Sequence, residues 1–126
     1  MDKNILVVED FRSIQDVICR TLEKQGFLIS RADDGAEAWE IVQKETIDLV
    51  ITDFNMPNMS GMDLLKSMKS NAATAHIPVI FVTTENDIEL KKEAKKHGLF
   101  AWMSKPYNFV NFLGYINHAL AKQEAS

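Results

Sequence analysis

Five times along a chain of 126 residues, a short apolar or β-branched run gives way to polar punctuation and then to a segment of helical periodicity. The runs are Asn4 to Val8, Phe27 to Ser30, Asp48 to Thr52, Pro78 to Val82 and Leu99 to Met103. Val, Ile and Thr dominate the middle ones and favour a pleated, buried environment. Strands buried on both faces and joined by such short helical connections require a parallel sheet covered on each side, and right-handed crossovers prune the remaining topologies. The predicted fold is therefore a doubly wound α/β domain of five strands.

Between the runs the period changes. Ile14, Val17, Ile18 and Leu22 recur at helix spacing, with Gly26 as the stop. Asp33-Asp34-Gly35 turns the chain into a second helix with Ala38, Ile41 and Val42 inward and Trp39 beside them. Ser60 and Asp63 form a predicted capping box, each side chain reaching the other's backbone amide, ahead of Leu64, Leu65 and Met68. Residues 70–76 are a polar connection. The helix over 86–97 is wet, with Lys91, Lys92, Lys95 and Lys96 against few apolar residues, and Gly98 ends it. A last helix carries Phe109, Phe112, Leu113, Ile116 and Leu120 on one side and is expected to fray from Gln123 to Ser126. With no linker or low-complexity tract, residues 1–126 read as a single domain without an output domain.

Composition excludes several functions. The net charge is −4, which does not favour nucleic acid, and no apolar stretch approaches the roughly 20 residues of a membrane span. The single cysteine, Cys19, forms no internal disulfide, and a cytoplasmic location is expected.

The chemistry lies where the apolar runs stop. Glu9 and Asp10, Asp53, Thr83 and Lys105 each follow a run at its carboxyl end, the edge at which open α/β sheets bind ligands. Three carboxylates converging in one crevice repel one another and demand a cation; oxygen ligands favour Mg²⁺. A lysine and a hydroxyl opposite the metal would cradle a phosphoryl group, one as a point charge and the other as a donor. The chain has no Gly-rich Lys-Ser/Thr nucleotide loop, and Asn55, two residues past Asp53, can neither protonate a leaving alcohol nor activate water. The residues describe a pocket that accepts a phosphoryl group and holds it, a covalent switch rather than a metabolic catalyst.

At this point the chain resembles the receiver domains of two-component response regulators, and within them the single-domain chemotaxis regulators. The resemblance spans residues 3–121 and rests on Val7-Val8-Glu9-Asp10-Phe11, Asp53-Phe54-Asn55-Met56-Pro57-Asn58-Met59-Ser60-Gly61, Val82-Thr83-Thr84-Glu85 and Lys105-Pro106. It implies strand order 2-1-3-4-5 and a cis Lys105-Pro106 peptide. Asp53 would be the phosphoacceptor. Mg²⁺ would be held by Asp10, the Asp53 carboxylate and the backbone carbonyl of Asn55, with Glu9 in support through water. Thr83 and Lys105 would each engage a phosphoryl oxygen. A sensor histidine kinase or a histidine phosphotransfer domain would be the donor, and an output protein such as a flagellar motor switch the target of a monomeric regulator.

Some positions depart from that likeness. Trp102 stands where tyrosine or phenylalanine is usual, so its indole either turns inward under crowding or stays outward as an interface anchor. Thr84 takes the place of a small residue and narrows access, while Asn55 and Glu85 match positions that modulate dephosphorylation. The lysines at 91, 92, 95 and 96 form either a solvated face or, with Trp102, a docking surface for an acidic partner. His76, His97 and His118 lack ligand spacing. Competing readings are a phosphorelay intermediate, a regulator outside chemotaxis, a small Mg²⁺-dependent phosphatase and a flavin-binding module, the last disfavoured because Glu9-Asp10 would repel a cofactor phosphate.

Overall fold

The computed structural model describes residues 2–125. Five strands, β1 (Asn4–Val8), β2 (Leu28–Ala32), β3 (Leu49–Thr52), β4 (Val79–Thr83) and β5 (Ala101–Ser104), form one parallel sheet in the order β2-β1-β3-β4-β5. They alternate with α1 (Arg12–Glu23), α2 (Gly35–Lys44), α3 (Gly61–Ser70), α4 (Ile88–Lys96) and α5 (Phe109–Ala125).

Because side chains alternate across a strand, the sheet feeds two cores. Leu6, Val8, Val50, Val79 and Phe81 face α2, α3 and α4, where they meet Ala38, Val42, Leu64, Leu65, Met68 and Ala94. Ile5, Val7, Leu49, Ile51, Ile80 and Val82 face α1 and α5, where they meet Ile18, Cys19, Leu22, Phe112, Ile116 and Leu120. β3 is buried throughout, which carries Asp53 to the sheet's carboxyl edge on a rigid support.

The structure corrects several local expectations. The buried stripe of α1 is Gln15, Ile18, Cys19 and Leu22, while Ile14 and Val17 point to solvent. Gln15 completes the i, i+3, i+4, i+7 pattern, so the true face is rotated from the one drawn through Ile14 and Val17. Asp63 donates its amide to Ser60 Oγ at 3.1 Å, so one half of the capping box forms. The connection after α3 is more than polar filler: buried Thr74 donates to the Met68 carbonyl at 2.8 Å, and Lys69 Nζ donates to the carbonyls of Ala75 and Ile77 at 3.1 and 2.9 Å. Burial holds the Lys69 pKa below its ordinary value. β2 and β5 begin and end one or two residues later than the apolar runs suggest, and α5 stays helical to Ala125, where fraying was expected. Ser126, the last residue of that expectation, lies outside the described residues. Gly26 and Gly98 take φ of 95° and 89° and close α1 and α4 in the left-handed region. Among the described residues no helix is long and apolar enough to cross a membrane.

Candidate functional site

At the carboxyl ends of β1, β3 and β5, Lys105 reaches both Glu9 and Asp53. Lys105 Nζ donates to Glu9 Oε1 and to Asp53 Oδ2, both at 3.1 Å. The lysine is fixed at its base by its amide, which donates to the Thr83 carbonyl at 2.9 Å; the Lys105-Pro106 peptide that follows is cis, as the resemblance implies. Asp53 is held from β1, its amide donating to the Val8 carbonyl at 3.2 Å. Its second oxygen, Oδ1, accepts from the amides of Phe54 at 2.6 Å and Asn55 at 3.3 Å. The carboxylate is thus oriented by two amides and one ammonium, yet its side chain keeps 14% exposure. It is rigid and reachable, as a nucleophile must be.

Glu9 is 2% exposed. Burial first, and the neighbouring Asp10 carboxylate second, raise its pKa above the ordinary carboxylate value, against the opposing pull of Lys105 and of the Phe11 amide. For Lys105, burial works to lower the pKa, but the hydrogen bonds and charges of Asp53 and Glu9 prevail and raise it. An all-oxygen donor set with two adjoining carboxylates, one of them held out of water, has the chemistry of a site for a hard divalent cation such as Mg²⁺. The three carboxylates do not stand as one ready-made cluster, however. Among the described residues no three acidic, His or Cys side chains stand close enough together to hold a metal ion. The Lys105 ammonium lies between Glu9 and Asp53 instead, because its long stem reaches across the crevice.

Thr83 is fully buried at the end of β4, the strand beside β3, and its hydroxyl accepts from the Glu85 amide at 3.1 Å. Asn55 is exposed beside the carboxylate. The Glu85 carboxylate folds back onto the amides of Asn86 and Asp87 at 3.2 Å each. Trp102 packs on Phe54 and Phe81, with ring centroids 5.6 and 5.4 Å away, and its Nε1 donates to the Glu85 carbonyl at 3.2 Å. The indole lies inward, where a hydrogen-bond acceptor and two aromatic rings receive it. Lys91 stands 6.0 Å from that ring and donates to Asn86 Oδ1 at 2.6 Å. Lys92 pairs with Glu89 at 3.5 Å, whereas Lys95 and Lys96 are exposed. His76, His97 and His118 are exposed too, the last stacked edge-on against Phe100.

The loop after Asp53 is clamped from two sides. Asn58, at φ 67°, donates to Asp34 Oδ2 at 2.7 Å. At Gly61 a Cβ would meet the Asp53 carbonyl oxygen at 2.5 Å, so the helix start and the site backbone touch directly. The sequence reading passed over both clamps, and it passed over Gln15, which donates to the Glu9 carbonyl beneath the acid pair at 3.1 Å. A glutamine inside an otherwise apolar i, i+3, i+4 stripe was the available signal.

A sequence model of the response regulator receiver domain matches residues 5–117, and the chain belongs to that family. Within it, the chain is 36% identical over 110 residues to the chemotaxis protein CheY-3 of Vibrio cholerae, covering 85% of each. It is 35% identical over 104 residues to the chemotaxis protein CheY of Pseudomonas aeruginosa, covering 82% of this chain and 84% of that one. Among solved structures, the chemotaxis response regulator CheY4 of V. cholerae superposes with a TM-score of 0.87 at 32% identity, over 95% of this chain and 100% of the other. A CheY-like receiver domain protein from Methanospirillum hungatei gives 0.93 at 27%, over 99% and 98%.

Proposed function

We propose that this receiver domain takes a phosphoryl group onto the Asp53 carboxylate from the phosphohistidine of a sensor kinase or histidine phosphotransfer domain, and signals by docking to an output protein. The observation that carries the reading is the pairing of Lys105 Nζ with Asp53 Oδ2 and Glu9 Oε1 at the carboxyl edge of the sheet, where the Asp53 side chain stays partly exposed.

An Asp53 oxygen attacks phosphorus, the phosphorus–nitrogen bond breaks, and the imidazole leaves with the electron pair. Little covalent work falls to the protein, so positioning and charge carry the step. The Phe54 and Asn55 amides fix the carboxylate, and Lys105 supplies fixed positive charge against which phosphoryl oxygens are drawn. Because Thr83 Oγ1 accepts from the Glu85 amide, its own proton points elsewhere and serves a phosphoryl oxygen. Asp10, Asp53 and the Asn55 carbonyl would hold Mg²⁺, with Glu9 behind them. When bound, the ion offsets the charge that builds up between carboxylate and phosphoryl group.

Recruiting Thr83 competes with its bond to the Glu85 amide, and the Glu85 carbonyl is the acceptor of the Trp102 indole. Phosphorylation therefore biases the surface of α4, β5 and α5, with Lys91, Lys92, Lys95, Lys96 and Trp102 on it, by giving one of two states additional contacts. The names of the relatives favour chemotaxis; our reading adds a flagellar switch as the output and a monomer acting in the cytoplasm, and a phosphorelay step would use the same pocket. Incubation with acetyl phosphate and Mg²⁺ should add one phosphoryl group to the wild type and none to Asp53→Asn. Equal labelling of both would overturn the assignment.

A further inference from the structure

We infer that Gln15 is a positioning residue for the acid pair Glu9 and Asp10: its buried carboxamide holds the backbone between them. Its residue is 1% exposed. Nε2 donates to the Glu9 carbonyl at 3.1 Å, to the Ala32 carbonyl at 2.9 Å and to Asp33 Oδ1 at 3.2 Å. All three neighbours are acceptors only, so the amino end of the carboxamide must face them; the opposite orientation would set oxygen against oxygen in a buried site.

The Glu9 carbonyl belongs to the peptide that joins Glu9 to Asp10. Fixing it fixes that peptide plane, and with it the direction in which the Asp10 side chain leaves the chain. The Ala32 carbonyl also accepts from the Glu9 amide at 3.1 Å. Glu9 is therefore tied to the end of β2 on both sides, directly at its amide and through Gln15 at its carbonyl. The remaining freedom of the turn is taken up by the Glu9 side chain, which accepts from the Phe11 amide at 3.3 Å and from Lys105. Arg12 pairs with Asp33 Oδ2 at 3.0 Å and so holds the carboxylate that Gln15 reaches. An apolar residue at position 15 would fill the same space in α1 but would leave two buried carbonyls without this donor. Partners of this kind, which touch ligands rather than the metal, set the ligands' geometry.

This inference rests on the reading of Glu9 and Asp10 as the Mg²⁺ side of the site. The test is calorimetric titration of Mg²⁺ into unphosphorylated protein, with urea stability measured alongside. Gln15→Met keeps volume and removes the donor; Thr74→Val removes a comparable buried bond at the opposite edge of the sheet. The expectation is that Gln15→Met weakens Mg²⁺ binding by about 10- to 100-fold, while Thr74→Val loses stability and binds Mg²⁺ like the wild type. If Gln15→Met binds Mg²⁺ as tightly as the wild type, Gln15 is only a core residue and the inference falls. The inference also falls if both variants lose affinity in step with stability. Should Gln15→Met not fold, Gln15→Asn, one methylene short of the same acceptors, takes its place under the same criteria. A wild-type chain that binds no Mg²⁺ would overturn the underlying reading itself, an outcome distinct from equal binding by variant and wild type.

Discussion

Gly61→Ala should damage stability and chemistry together. A Cβ built at Gly61 lies 2.5 Å from the Asp53 carbonyl oxygen, 3.0 Å from Phe54 Cα and 3.3 Å from the Asp53 carbonyl carbon. An ordinary carbon–oxygen contact is about 3.3 Å, so the two backbones must part by roughly 0.8 Å. Neither is a flexible side-chain tip. Overpacking of this kind costs about 1–3 kcal/mol. With an unfolding entropy of about 2.1 cal/mol/K per residue, a chain this long has roughly 0.26 kcal/mol/K, and Tm should fall by about 4–12 °C. The residue that must give way is Asp53, whose carboxylate meets Lys105 at 3.1 Å. A misplacement near 1 Å costs on the order of 100-fold in rate. Gly114 is the control, because it is helical and a Cβ there meets nothing within 4 Å. Gly114→Ala should gain about 0.5–1 kcal/mol, raise Tm slightly and leave phosphorylation unchanged. Thermal melts and the initial rate of phosphorylation by acetyl phosphate measure both effects. Gly61→Ala with wild-type Tm and rate would refute the claim that this close approach positions the phosphoacceptor.

Other consequences follow from the same geometry. Glu9→Gln should be stabilising at neutral pH: a carboxyl whose folded pKa is raised by burial and by Asp10 contributes stability at acid pH that is lost as pH rises through the folded value. Urea melts across that range should show the gap between variant and wild type open upward from the ordinary carboxylate pKa; a gap that closes instead would contradict the burial argument. Lys105→Met should lower phosphorylation by about 100- to 1,000-fold and cost about 1–3 kcal/mol by leaving the Glu9 carboxylate without its ammonium. The Lys105 pairing, with its raised lysine pKa, should persist at neutral pH and fail only as alkali removes the proton. Trp102→Ala should cost about 3 kcal/mol, the low end for a core Trp because this one is half-buried, through lost packing on Phe54 and Phe81. In a Trp39→Phe background, phosphorylation should change Trp102 emission; constant emission would separate the indole from the switch.

Much of the fold was legible because it depends on short-range pattern. β3 reads as a buried run ended by Asp53-Phe54-Asn55, and no other element competes for those residues. Contacts set by a partner element were less legible. The stripe of α1 was misdrawn because its fourth member is Gln15, whose burial depends on two carbonyls and a carboxylate from other segments. Sequence delivered Glu9, Asp53 and Lys105 to one edge but could not show that the lysine stem spans the gap between the acids. The indole of Trp102 had two possible directions, and the choice depends on Phe54, Phe81 and the Glu85 carbonyl, none of them near it in sequence. Residues at the ends of strands could be read from the chain; the groups that hold them in place could not.

The account turns on where the phosphoryl group resides. Borohydride reduces an aspartyl phosphate to homoserine, so treatment of the Mg²⁺-phosphorylated protein followed by peptide sequencing in the mass spectrometer reads out the acceptor. The account predicts homoserine at position 53 and aspartate at position 10. An unreduced Asp53 in protein that carries the phosphoryl group, or homoserine at any other position, would contradict it.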